Sequence, residues 1–370
     1  MHAARLRQDR GRIAAGWRRR DHHATQVTRI TGKRIPRVDS PIMTSSLSWG
    51  IMATGGIARS FADDLHAVEM EVAAVASRSR ASADIFARHH GVPRAHGSYQ
   101  ELVEDPGVDI VYVATPHPFH AEHARLALEH GKHALVEKPF ALNRAEAEQL
   151  RDLARERGLL VMEAMWTRHL PHMARIRELV NGGAIGEIRA LFADHTQRLP
   201  TEPSHRINDL ALGGGALLDL GVYPISFAWD LLGAPTSVTA QARLGETGAD
   251  TEVATILRHS GGALSTSLSS SRGVGPNTAH VVGSEGRIDV DRVWYTAANF
   301  TVSAPDGTVV ERYESDVVGR GMHLQARAAE RYVQQATLDG DVLTVDDSVG
   351  IMGTLDEIRA QIGLRYPSES

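Results

Sequence analysis

The chain has 370 residues and a net charge of −5, with 42% hydrophobic and 23% charged residues. That composition is typical of a globular protein, and the length suffices for two domains that each bury a core. The absence of cysteine excludes disulfides and thiolate chemistry and fits a cytoplasmic protein, and no apolar run is expected to reach the roughly 20 residues that span a bilayer.

Charge is unevenly placed. Residues 1–42 carry ten Arg and one Lys against three Asp, a net of +8 that leaves −13 on the rest. This stretch includes Arg18-Arg19-Arg20, shows no sustained apolar periodicity and lacks the apolar core of a secretory signal. An organelle transit peptide and a nucleic-acid arm are alternative readings. The expectation is a disordered basic extension over 1–44, with Met43 as the native start. The acidic remainder repels phosphate and speaks against nucleic acid as a partner.

Leu47–Met52 reads as a strand and runs into Ala53-Thr54-Gly55-Gly56-Ile57-Ala58. Ile57, Phe61 and Leu65, spaced by four, then mark an amphipathic helix. This is a dinucleotide-binding fingerprint with Ala53 at the first glycine and Ala58 at the third. Gly55 holds the middle position, where a side chain would block the approach of a diphosphate to the helix start. A second strand, Glu71–Ala76, ends in Ser77-Arg78-Ser79-Arg80. An acidic residue at this point usually meets a free ribose 2′-hydroxyl. Arg78 instead offers a planar fork suited to a 2′-phosphate, so NADP is expected over NAD.

Helix is expected over 81–90 up to Gly91, and from the capping pair Ser98 and Glu101 to Pro106. The apolar strand Val108–Thr115 precedes Pro116-His117-Pro118-Phe119-His120, and a helix runs from His120 to Gly131. The next buried strand opens on Ala134 and ends in Glu137-Lys138-Pro139. Pro139 biases Lys138 away from helix, so this charged pair sits at a defined turn at the carboxyl end of a strand. Asn143 and Glu146 cap a helix closed by Gly158, and Leu159–Ala164 is a last strand before Met165-Trp166-Thr167-Arg168. Strand and helix alternating at this interval specify a doubly wound parallel sheet, the α/β Rossmann class, over 45–165.

Past Arg168 the rhythm changes. A helix at 170–179 and a strand at 186–194 lead to Gly213-Gly214-Gly215-Ala216-Leu217-Leu218-Asp219-Leu220-Gly221-Val222-Tyr223. Alternating segments then fill 238–313, and helices are expected at 323–339 and 345–363. Residues 166–370 thus read as an α+β domain built on an open, mostly antiparallel sheet.

Asp219 and Tyr223 are four residues apart, one turn along a shared helix face. Lys138 supplies the partner this pair needs for proton transfer. A tyrosine removes a hydroxyl proton if a nearby ammonium stabilises its phenolate; alternatively the lysine acts on the substrate oxygen directly. His117 and His120, closing the strand before the lysine's own, are expected in the cofactor or substrate pocket. A metal site built from the histidines, Glu137 and Asp219 lacks tight ligand spacing, and no metal is expected.

The loop Ala53–Ala58, Thr115-Pro116 with His120, Glu137-Lys138-Pro139 and the glycine run to Tyr223 together resemble the glucose–fructose oxidoreductase, inositol dehydrogenase and MocA family. The likeness spans Ser48 to Gly363. Within the family it is greatest to the dimeric dihydrodiol dehydrogenases and NADP-dependent xylose dehydrogenases. The resemblance implies hydride transfer between NADP and a carbinol carbon of a polyhydroxylated small molecule, and homodimers or homotetramers built through the second-domain sheet. Lys138 and Tyr223 would be catalytic, with Asp219 in support. Ala53, Gly55, Gly56, Ile57, Ser77, Arg78, Thr115, His120, Glu137, Lys138 and Arg206 would line the cofactor, and His117, Trp166 and Arg168 would lie near the nicotinamide. The chain departs from the family at Ala53, a usual glycine, at His117, where many members carry Asn, and at Tyr223, where many carry His. Two rival readings stand beside a dehydrogenase: a nicotinamide-dependent glycosidase without net cofactor turnover, and a non-catalytic NADP-binding regulator.

Overall fold

A computed structural model describes residues 47–369; the basic extension and the start expected at Met43 lie outside the described residues. Six strands form the first sheet: β1 (Trp49–Met52), β2 (Val72–Ala76), β3 (Arg94–His96), β4 (Ile110–Val113), β5 (His133–Glu137) and β6 (Val161–Ala164). Their order is β3-β2-β1-β4-β5-β6, and every neighbouring pair is parallel. Helices α1 (Gly56–His66), α2 (Arg80–His90), α3 (Tyr99–Glu104), α4 (His120–Glu129) and α5 (Arg144–Arg157) lie between the strands. All residues of β1, β4 and β6 are buried, as a parallel sheet covered on both faces requires. The strand order reverses between β1 and β4, which opens a crevice at their carboxyl ends.

β3 escapes the sequence reading because three half-buried residues cannot show alternation. The expected caps form with one difference. The side chains of Ser98 and Asn143 accept the amides of Glu101 (3.1 Å) and Glu146 (3.0 Å). The two glutamates reach past the cap to the amides of Gly97 and Leu142, each at 3.0 Å.

The second sheet begins after α6 (Pro171–Asn181) with β7 (Ile188–Thr196). Helix α7 (Val222–Leu232) precedes β8 (Pro235–Leu244), β9 (Asp250–His259), β10 (Leu264–Ser270), β11 (Ala279–Gly283), β12 (Arg287–Val290), β13 (Phe300–Ser303) and β14 (Val309–Tyr313). The order is β14-β13-β12-β11-β7-β10-β9-β8, with β7 and β10 the one parallel pair. The closing helices α8 (Met322–Gln334) and α9 (Val345–Ile362) return to the first sheet, α8 against α1 and α9 against α5. Trp49 Nε1 of β1 donates to Glu330 of α8 at 3.0 Å, and the Arg144 amide of α5 donates to Asp356 of α9 at 2.9 Å. The two sheets therefore belong to one compact unit rather than to separate bodies.

One expectation about apolar runs is corrected. Leu210–Leu232 has a mean hydropathy of 1.4 and is long enough to cross a membrane by length and composition. Of its most apolar 18-residue stretch 83% is buried inside the protein, as a core segment is.

Ala53, in the place of the fingerprint's first glycine, has φ 93°. Its amide donates to the Ala76 carbonyl at 2.9 Å, which holds the turn in that conformation. A Cβ in this region costs about 1–2 kcal/mol, against which glycine loses about 0.4–1 kcal/mol of chain entropy. We expect Ala53→Gly to stabilise the protein by roughly 0.5–1 kcal/mol in urea unfolding. Equal or lower stability would show that the turn tolerates the methyl group without strain.

Candidate active site

Lys138 follows β5 directly and so leaves the carboxyl end of a buried parallel strand. Its Nζ donates to the Asp219 carbonyl (2.7 Å) and to Asp219 Oδ1 (3.1 Å), across 81 residues of sequence. Asp219 Oδ2 accepts from Arg206 Nη2 at 3.1 Å, and His117 Nε2 stands 3.9 Å from Oδ1. Lys138, Asp219, His117 and Arg206 thus form one cluster, as their joint assignment to a pocket requires.

The glycine run makes this meeting possible. Gly213 (φ 69°) presses on the loop after β4, where an added Cβ would stand 2.9 Å from His117 Cβ. Gly215 (φ 138°) faces Asp250, with an added Cβ only 2.0 Å from Oδ1. The buried Asp250 carboxylate accepts the Leu217 amide at 2.6 Å and so fixes the start of the next turn. That turn, Leu217–Gly221, is a π-helical turn leading into α7, not the α-helix expected there. Wide turns of this kind often mark functional positions.

Burial pushes the Asp219 carboxyl up, but Lys138 and then Arg206 overcome it and hold it well below the usual range. Burial likewise opposes the Lys138 ammonium, yet Asp219, Tyr223 and Glu137 outweigh it and raise its pKa. The lysine is therefore firmly charged at neutral pH. Tyr223 differs from expectation: its Oη accepts from Trp166 Nε1 at 3.1 Å, and Lys138 Nζ lies 5.0 Å from its ring centroid. Burial raises the phenol, and the lysine only partly offsets this, so Tyr223 rests protonated.

Other candidates are placed less openly than the motifs suggest. Glu137 is buried, accepts from the Tyr112 hydroxyl, and is pushed up to about 7 by burial. The His120 ring nitrogens face the carbonyls of Pro139 (2.7 Å) and Thr115 (2.8 Å), and a neutral imidazole donates to one of them. His120 thus ties the loops after β4 and β5 together from inside. His117 Nδ1 faces the Gly213 carbonyl at 3.2 Å. Arg168 departs furthest from its expected place near the nicotinamide. Its guanidinium is buried against Ser226, Asp230 and the Val342 carbonyl, an internal brace.

Sequence reading missed His195 and Tyr295, which stack at 3.7 Å and form an aromatic wall with Tyr223. Both come from the second half of the chain, with no motif around them. Asp250 and Tyr112 were missed too: Asp250 lies among the strands of the second sheet, and Tyr112 sits inside an apolar strand with nothing to single it out.

The first turn of α1 fits a dinucleotide. Gly55 is its N-cap, and a Cβ added at Gly55 or Gly56 meets nothing within 4 Å, so these two glycines border open space at a helix start, with Ala53 and Ile57 half-buried on either side. Arg78 is exposed and makes no ion pair among the described residues, whereas Arg80 is held by Asp84 at 2.9 Å. The Ser77 hydroxyl accepts the Ser79 amide (3.3 Å), and Thr115 Oγ1 contacts His123 Nδ1 (3.0 Å).

Residues 47–165 match the oxidoreductase family with an NAD-binding Rossmann fold, and residues 173–289 match the GFO/IDH/MocA C-terminal domain. The chain belongs to the Gfo/Idh/MocA oxidoreductase family. Trans-1,2-dihydrobenzene-1,2-diol dehydrogenase of Xenopus laevis is 33% identical over 86% of this chain and 99% of its own length. D-xylose 1-dehydrogenase (NADP(+)) of Hypocrea jecorina is 37% identical over 87% of this chain and 93% of its own. A solved 3-ketoreductase from Actinomadura kijaniata, in complex with TDP-benzene and NADP, superposes with a TM-score of 0.75 at 30% identity, covering 86% of this chain and 98% of that one. The resemblance carried by Glu137-Lys138-Pro139 and the glycine run therefore holds for family and fold.

This Gfo/Idh/MocA member buries many neutral histidines. Burial lowers His117, His169 and His195 to about 3, and His120 and His172 to about 4. A histidine depressed on folding contributes stability above its unfolded pKa near 6.5, and that contribution is lost as pH falls through the window below it. Burial raises Glu137 and Glu163 to about 7 and Asp250 to about 6, which acts in the opposite sense. The histidines outnumber these carboxyls, so urea-unfolding free energy should fall as pH drops from 6.5 to 4.5. A rise over that window would contradict the burial argument.

Proposed function

We propose that the protein is an NADP-dependent dehydrogenase or reductase acting on the CH–OH carbon of a sugar or a cyclic trans-dihydrodiol. The observation that carries this reading is the charged Lys138, clamped by Asp219, beside the protonated Tyr223 at the crevice bordered by the open Gly55–Gly56 turn. The activities of the relatives, on a dihydrodiol and on xylose, support the substrate class.

Gly55, Gly56 and Ile57 would receive the diphosphate and Arg78 the 2′-phosphate, with Thr115 bordering the same crevice. When bound, the nicotinamide ring supplies the hydride donor or acceptor. The remaining chemistry falls to the chain. In reduction, Tyr223 Oη gives its proton to the substrate carbonyl oxygen; in oxidation the Tyr223 phenol first releases its proton to solvent, and the resulting phenolate, held by the Lys138 ammonium, takes the hydroxyl proton. The Lys138 ammonium stabilises negative charge on either oxygen, and Asp219 fixes where that charge sits. Trp166 sets the direction of the Tyr223 hydroxyl.

The second sheet supports a reading of self-association. Phe192, Thr266 and Ile256 are paired in one row across β7, β10 and β9 on the open face. Phe192 is 44% exposed, Ile256 51% and Leu268 47%. Such a contiguous apolar face suits a second copy of the chain.

Turnover of aldoses and trans-dihydrodiols followed by nicotinamide absorbance tests the main reading. Lys138→Ala should lower turnover by at least about a hundredfold, and near-normal activity would remove the lysine from the mechanism. Arg78→Asp should weaken NADP binding far more than NAD binding; equal losses would end the 2′-phosphate assignment.

A further inference from the structure

Arg320 lies between β14 and α8, flanked by two glycines of left-handed backbone, Gly319 (φ 66°) and Gly321 (φ 83°). The buried Asp64 of α1 holds this segment by its main chain. One carboxylate oxygen accepts the Arg320 amide at 3.0 Å and the other the Met322 amide at 2.7 Å. An added Cβ on Gly319 would stand 2.4 Å from Asp64 Oδ1, so the close approach requires glycine. Because the main chain makes the attachment, the Arg320 side chain remains available for other work.

That side chain reaches back over the first half of the chain. Its guanidinium carbon lies 5.8 Å from the Trp166 ring centroid. Its Nη1 donates to Ser60 Oγ at 3.2 Å, and Ser60 in turn donates to the Gly56 carbonyl at 3.3 Å. The cation therefore stands two hydrogen bonds from the turn that opens α1. Tyr112 of β4 and Tyr295, which packs against Tyr223, both feel its charge. It makes no ion pair with a carboxylate among the described residues. An exposed guanidinium aimed at a glycine turn and lacking a counter-ion is suited to a phosphate oxygen.

We propose that Arg320 is a positioning residue for the cofactor, binding the diphosphate that the Gly55–Gly56 turn receives. The inference rests on the dinucleotide reading above. It assigns the second half of the chain a direct part in holding the cofactor, through a residue that lies outside the fingerprint. The Ser60–Gly56 link favours the diphosphate over the 2′-phosphate, which belongs at Arg78, and over an anionic group on the substrate.

The test compares purified wild type, Arg320→Gln and Arg320→Lys by calorimetric Kd for NADP, NAD, ADP-ribose and adenosine 2′-monophosphate. Arg320→Gln should weaken NADP, NAD and ADP-ribose alike, by about tenfold. It should leave adenosine 2′-monophosphate unchanged, since that ligand has no diphosphate. Arg320→Lys should recover part of the loss, and the difference should shrink with added salt. Thermal unfolding of the free variants should match wild type, because Asp64 grips only main-chain groups. Unchanged Kd values for all four ligands would overturn the proposal. So would a loss confined to substrate KM, which would assign the cation to the substrate. Failure of wild type itself to bind any dinucleotide would instead overturn the reading on which the proposal rests.

Discussion

The site depends on one buried ion pair. Lys138 comes from the first sheet and Asp219 from the turn before α7, and neither tolerates burial alone. A lone buried charge of either sign is costly enough that removing one partner of such a pair typically destabilises by about 3–5 kcal/mol. Buried pairs of this kind are often no more stabilising than apolar residues of similar volume, so what the pair supplies to the site is position rather than stability. Its second bond, from Lys138 Nζ to the Asp219 carbonyl, adds direction, because a carbonyl dipole fixes the ammonium more narrowly than a freely rotating carboxylate does.

Around this pair the protein sets protonation states by burial and by neighbours. Asp219 is kept ionised by two cations, Lys138 is kept charged by its carboxylate, and Tyr223 is kept protonated by its apolar surroundings. The histidines nearest the cluster are held neutral. Charge on Asp219, Lys138 and Tyr223 therefore varies little across the physiological range, whereas the neighbouring Glu137, raised to about 7 by burial, is the group whose proton moves there.

What the sequence reveals of this follows from where each residue gets its position. Alternating strand and helix signals made the parallel sheet legible, since each element carries its own period and caps. Glu137-Lys138-Pro139 was legible because a strand end and a proline localise it without help from distant residues. Asp219 and Tyr223 could be paired by spacing, although the π-helical turn between them was not visible, because it depends on Asp250 and on the packing of the glycine run. His195, Tyr295 and Arg320 carry no local signal at all. Their places come from a strand register, a loop and a main-chain grip by a residue some 250 positions earlier. Arg168 shows the converse error, a residue in a suggestive motif whose side chain is turned into the interior by Ser226 and Asp230.

The return of α8 and α9 to the first sheet has a bearing on how the chain is made. About 160 residues separate the end of α5 from the start of α8, which at ribosomal speed is a delay of roughly 10–30 s. During that interval the flanks of α1 and α5 that these helices cover are bare, and Asp64 and Trp49 have no partners for their polar groups. The nucleotide-binding half thus leaves the ribosome first but is finished last. A nascent chain of this kind is a natural client for chaperones, and its amino-terminal half is a poor choice as a portable nucleotide-binding module.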